Sequence, residues 1–138
     1  MGLYLCIFDH SDMEIEGVEV GSYEDFGWFT NAVVQHLEGG KTGSKYPLLT
    51  LHSDCDGCWS SDECVKLAEE FCEIKEHFQR ESSIPFNSEW QQNTAKTIGL
   101  EPKNLCDCFI DVDGEGLLDR LIDLCQTASE NGFPVYFQ

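Results

Sequence analysis

Tyr46 to Arg80, YPLLTLHSDCDGCWSSDECVKLAEEFCEIKEHFQR, decides the fold class. Its first six residues, Tyr46-Pro47-Leu48-Leu49-Thr50-Leu51, are a short apolar run expected as a strand. The polar stretch from His52 to Trp59 is expected as a loop. Ser60 then stands three residues before Glu63, the spacing at which a hydroxyl caps the N3 amide while the N3 carboxylate returns to the cap's own N–H. From about Asp62 to Arg80, Leu67, Phe71, Ile74 and Phe78 recur at helical spacing and form one apolar stripe. Cys64, Ala68 and Cys72 lie alongside it, where a free cysteine packs as a small hydrophobe. A strand, a polar loop and a capped amphipathic helix in direct succession predict an α/β (or α+β) fold, with helices laid on a sheet.

The same grammar extends both ways along the chain. Leu3 to Phe8 is a continuous apolar run, expected as a buried strand, and Gly17 to Gly21 as a short second one. Ser22 and Asp25 form a capping box for a helix whose face is Phe26, Phe29, Val33 and Leu37, stopped at Gly39-Gly40. Downstream, Ser88 and Gln91 open a helix that Gly99 ends. Leu105 to Val112 reads as a strand, with Cys106 and Cys108 on one face and Asp107 on the other. Asp113 or Gly114 is expected to cap a last helix carrying Leu117, Leu121, Leu124 and Ala128, closed by Asn131-Gly132. Pro134 to Gln138 is a terminal strand. The expectation is a single compact domain over residues 1–138, with a mixed sheet of roughly four to five strands and about four amphipathic helices.

The proportions are globular, at 41% hydrophobic and 25% charged residues, which favours a packed core over disorder. No apolar run approaches the roughly 18 residues of a membrane span. The N-terminus lacks the basic start and cleavage site of a signal peptide, so a cytoplasmic location is expected. The charge departs from average. Eight Lys and Arg stand against 26 Asp and Glu, for a net −18, and the first 40 residues contain no Lys or Arg. Such a field repels phosphates and anionic lipid, which argues against direct nucleic acid or membrane binding, and it favours a cationic protein partner.

The densest polar segment surrounds Cys55-Asp56-Gly57-Cys58. One CxxC is half a zinc site; His52 and Cys64 are the candidates to complete it, or Cys106 with Cys108 from elsewhere. The same pair between a strand and a helix is the context for a redox thiol, although Asp54 and Asp56 oppose thiolate formation. A metal-binding or thiol-redox protein using His52, Cys55 and Cys58 is therefore the alternative reading. Nucleophilic catalysis would pair Cys55 or Cys58 with His52 or His36, and acid/base hydrolysis would need split carboxylates at Asp54 and Asp56 or at Asp111 and Asp113. No phosphate-cradling glycine loop, GxSxG or HExxH motif occurs, so an enzyme is not expected.

Five segments together carry a family resemblance. They are Gly2-Leu3-Tyr4-Leu5-Cys6, Val18-Glu19-Val20-Gly21-Ser22-Tyr23, Leu51-His52-Ser53-Asp54-Cys55-Asp56-Gly57, Asn104-Leu105 with Phe109-Ile110-Asp111, and Pro134-Val135-Tyr136-Phe137-Gln138. In this order, spanning nearly the whole chain, they resemble the immunity protein 70 family of bacterial polymorphic toxin systems. Cys58 departs from the pattern, which has an acidic residue before the tryptophan; that weakens a Cys55/Cys58 site as a family feature. The resemblance implies a small cytoplasmic antidote that binds and neutralises a cognate toxin without a cofactor. The acidity implies that this toxin is basic. The expected contact residues are Asp54, Asp56 and Trp59 in one loop and Asp111, Asp113 and Glu115 in another, the two loops following strands and meeting at one sheet end.

Overall fold

The structure, a computed structural model, describes residues 2–138. The chain opens with a hairpin. Strand β1 (Gly2–Phe8) pairs antiparallel with β2 (Glu14–Ser22). Asp9 shapes the turn between them, its Oδ1 accepting from the Ser11 and Met13 N–H groups at 2.8 and 3.0 Å. Helix α1 (Tyr23–Leu37) follows at once because the Ser22–Asp25 capping box satisfies its first turn.

Tyr46 to Leu51 is not a strand. Pro47–Thr50 forms a single helical turn, α2, with Pro47 at its first position. Proline is pre-set for that position and has no N–H to give a sheet. The Glu38 carboxylate bends the approach by accepting from Gly43, Lys45 and Tyr46 N–H groups at 3.2, 2.9 and 2.8 Å. The next strand is the two-residue β3 (Cys58–Trp59), inside the stretch expected as a loop. Helix α3 (Ser61–Phe78) carries the expected Ser60–Glu63 capping box. Cys64 and Ala68 are buried beside its stripe, but Cys72 is exposed.

Helix α4 (Glu89–Ile98) ends at Gly99, whose φ of 72° is the left-handed cap that glycine adopts freely. Leu105 to Val112 is also not a strand. Asn104 accepts from the Asp107 N–H and caps a 3₁₀ turn over Leu105–Cys108, and beyond it only Ile110 bridges to Gly116. Helix α5 (Leu117–Asn131) is capped by Gly116 rather than by Asp113 or Gly114. The Asp111 carboxylate caps the preceding loop instead, accepting from Asp113 and Glu115 N–H groups at 2.9 Å each.

Strand β4 (Val135–Phe137) completes a four-stranded sheet in the order β2-β1-β4-β3. Every pairing is antiparallel, so the α+β form of the expectation holds, with no parallel pair to make the sheet mixed. One face of the sheet presents Leu3, Leu5, Ile7, Val18, Val20, Trp59, Val135 and Phe137 to the helices. These join Phe26, Phe29 and Val33 of α1, Leu67, Phe71 and Ile74 of α3, and Leu121, Leu124 and Cys125 of α5 in one cluster. Each such large apolar side chain contributes ~1.5–3 kcal/mol on burial. No helix among the described residues is long and apolar enough to cross a membrane.

Candidate partner-binding surface

The expected contact residues divide into two sets. Trp59 is fully buried; its Nε1 donates to the Leu48 carbonyl at 2.9 Å and its ring packs against Phe71 and Phe137. Asp111 is 1% exposed, and its Oδ2 lies 3.2 Å from Arg120 Nε. Burial pushes its carboxyl up, opposed by the Glu115 and Asp113 N–H groups and by Arg120. These two residues hold the fold and are closed to a partner. Asp54, Asp56, Asp113 and Glu115 are exposed.

The two loops do not meet at one sheet end. Asp54 and Asp56 lead into β3, which is one edge of the sheet. Asp113 and Glu115 lie beside β2, the other edge, where the Val112 N–H donates to the Glu19 carbonyl at 3.0 Å. Strand order thus separates the two acidic loops by the width of the sheet.

The alternative constellation of His52, Cys55, Cys58 and Cys64 is not assembled. The His52 ring stacks on Phe137 at 4.2 Å, with Nδ1 2.8 Å from the Ser53 carbonyl and Nε2 3.1 Å from the Cys58 carbonyl. Both nitrogens thus face backbone oxygens. Cys55 and Cys58 are exposed, but Cys64 is buried in the core, its thiol donating to the Trp59 carbonyl at 3.9 Å. Neither thiol of the CxxC caps α3, because the Ser60 hydroxyl occupies that place. Among the described residues no group of three or more His, Cys, Asp or Glu is arranged to hold a metal ion.

The sheet has a second face that the sequence reading missed. Residues opposed across an antiparallel pair share a face. The register pairs Tyr4 with Glu19, Cys6 with Gly17 and Tyr136, Phe8 with Glu14, and Cys58 with Tyr136. None of these side chains belongs to the core cluster. Glu14, Glu19, Cys58 and Tyr136 are exposed, Tyr4 and Phe8 are half-buried, and Cys6 is fully buried. Tyr4 lies across Gly17, where a Cβ would stand 2.0 Å from its hydroxyl. Burial, with a hydrogen bond to Glu14, pushes the Tyr4 phenol up to about 12. Burial and the Glu14 charge push the Cys6 thiol up to about 11. The run from Leu3 to Phe8 reads as uniformly apolar because the positions turned from the core cluster are Tyr4, Cys6 and Phe8, so only the strand pairing reveals the face.

A family model described as Immunity protein 70 matches residues 3–137. The chain belongs to the Immunity protein 70 family. Neither a curated protein nor a solved structure matches it significantly. Membership in this family spans the whole sheet, both acidic loops and all the helices described above.

Proposed function

We propose that this member of the Immunity protein 70 family acts in the cytoplasm, binding a cognate polymorphic toxin domain and neutralising it by occupation rather than by catalysis. The observation that carries the reading is the family match over residues 3–137. The net charge of −18 supports a cationic toxin, since complementary fields raise the association rate and disfavour wrong partners. Of the acids first expected at the contact, Asp54 and Asp56 on one edge and Asp113 and Glu115 on the other are accessible to serve as a polar rim.

The test is a pull-down of the toxin domain encoded by the adjacent upstream gene, repeated at rising salt. Capture at low salt that weakens steeply as salt rises is the expected result. No capture at low salt overturns the reading; capture indifferent to salt overturns its electrostatic part.

A further inference from the structure

The open face of the sheet continues into a cleft. A cavity of about 440 Å³ lies between the Asp9–Met13 turn and the Gly132–Pro134 segment that leads into β4. Its walls are Phe8, Phe133, Pro134 and Tyr136, with Asp9 and Asp12 at the turn. Phe8 and Tyr136 belong to both the face and the cleft, their ring centroids 6.2 Å apart. His10 closes one side, edge-on to Phe133 at 4.9 Å.

We propose that this face and cleft form the centre of the toxin-binding surface, the cleft receiving an arginine or lysine side chain from a basic segment of the toxin. The proposal rests on the function proposed above. Three observations converge on it. First, aromatic walls with carboxylates at the rim are the chemistry that holds a cation, through ring quadrupoles and charge together. Second, the surface has one sign: β1, β2, β3, β4, the hairpin turn and residues 131–138 contain no Lys or Arg, while Asp9, Asp12, Glu14 and Glu19 border the face. The one guanidinium that reaches β2, that of Arg120, is spent on the Gly17 carbonyl at 2.9 Å. Third, Tyr136, 39% exposed, stands between the face and the cleft, and tyrosine is the type of anchor that dominates interface energies. A second copy of this chain is a poor occupant, because it would set carboxylates against carboxylates.

Binding of the adjacent gene's toxin domain by titration calorimetry separates the alternatives. Glu14→Lys/Glu19→Lys reverses charge on the open face. Glu69→Lys/Glu76→Lys makes the same charge change at exposed positions of α3, on the helical layer. Tyr136→Ala removes the anchor without changing charge. Circular dichroism melts confirm that each variant is folded. The expected result is about 100-fold weaker binding for the face pair, at least 10-fold for Tyr136→Ala, and less than about 5-fold for the helical pair. Wild-type binding with equal losses in the two charge pairs, or no loss in Tyr136→Ala, overturns the placement and leaves the toxin-binding function standing. No wild-type binding overturns both. A wild-type dimer that Tyr136→Ala splits into monomers assigns the face to a second copy and overturns the placement.

Discussion

Trp90 Nε1 donates to Asp25 Oδ2 at 2.9 Å, joining the first turn of α1 to the first turn of α4 across 65 residues. Asp25 was legible as half of a capping box, and it does accept from the Ser22 N–H at 2.9 Å. Its second role was not legible. Oδ1 also accepts from Asn87 Nδ2 at 2.9 Å and from the Ser88 hydroxyl, so one carboxylate at 3% exposure receives four donors. It fixes α4 against the start of α1.

Asp25→Ala is expected to cost about 2–4 kcal/mol, because it strands several buried donors at once. Equilibrium urea unfolding followed by tryptophan fluorescence measures this. An Asp25→Ala variant as stable as wild type would show that α4 is held by packing alone.

Acid titration probes the same group. Burial pushes the Asp25 carboxyl up, but Ser88, Asn87, Ser22 and Trp90 outweigh it and hold it at about 2. Its folded value thus lies below its unfolded one near 3.8. The stabilisation is present above about pH 4 and is lost as pH falls towards 2, a contribution of about 2 kcal/mol. The stability gap between wild type and Asp25→Asn is expected to narrow across that window. A gap that stays constant from pH 6 to pH 2 would remove the carboxylate's charge from the account.

Glu70 shows the opposite sign. It is 8% exposed on α3, with Oε1 3.7 Å from Lys66 Nζ and Oε2 without a partner. Burial pushes its carboxyl up, Lys66 pulls it down, and Glu73 and Glu38 add to the rise. The folded state therefore holds the proton more tightly than the unfolded state, and the charged form costs stability above the folded value. Glu70→Gln is expected to raise stability by about 1 kcal/mol at pH 7, and the gain shrinks as pH falls through the folded value. A loss of stability at pH 7 would mean that Lys66 offsets the burial of the charge.

How much was legible follows from the range of the interactions. The capping boxes of α1, α3 and α4 and the stripe of α3 were readable because they involve residues three or four apart. Tyr46 to Leu51 failed because a six-residue apolar run has no period long enough to separate strand from helix, and the deciding group, Glu38, lies outside the run. Leu105 to Val112 failed for the same reason, with Asn104 deciding it. The contact surface was legible only as acidity. Which acids share a face depends on strand order, and the order β2-β1-β4-β3 placed the Asp54 and Asp113 loops apart and opened a face between the edges.

The eight free cysteines sort by burial, which timed alkylation with peptide mapping can read. Cys55, Cys58 and Cys72 are exposed and are expected to label first. Cys106 is half-buried, with burial pushing its thiol up to about 11, and should follow slowly. Cys6, Cys64, Cys108 and Cys125 are buried and should label only on unfolding. Labelling of Cys64 or Cys125 at the rate of Cys72 would contradict the packing of α3 against α5.

Arg120 guards the β2 edge of the sheet. Its Nη2 donates to the Gly17 carbonyl at 2.9 Å and its Nε faces the buried Asp111 carboxylate at 3.2 Å, while the Val112 N–H covers the Glu19 carbonyl. An edge strand with open carbonyls is a template for pairing with another chain, and a short cover from a loop and a side chain blunts it. Arg120→Met keeps the apolar stem and removes the cation, leaving the Asp111 charge buried without its partner. Because Arg120 is itself partly exposed, the expected cost is about 2–3 kcal/mol, at the low end for a broken buried pair. The double variant Asp111→Asn/Arg120→Met removes the stranded charge and is expected to recover about half of that loss. Protonation should have the same effect in the single variant: burial already pushes Asp111 up, loss of Arg120 pushes it further, and so Arg120→Met gains stability relative to wild type as pH falls through that raised value. Urea unfolding at pH 7 and pH 4 tests both statements. Equal destabilisation of Arg120→Met at the two pH values would show that Arg120 acts through the Gly17 carbonyl and its stem, and not through Asp111.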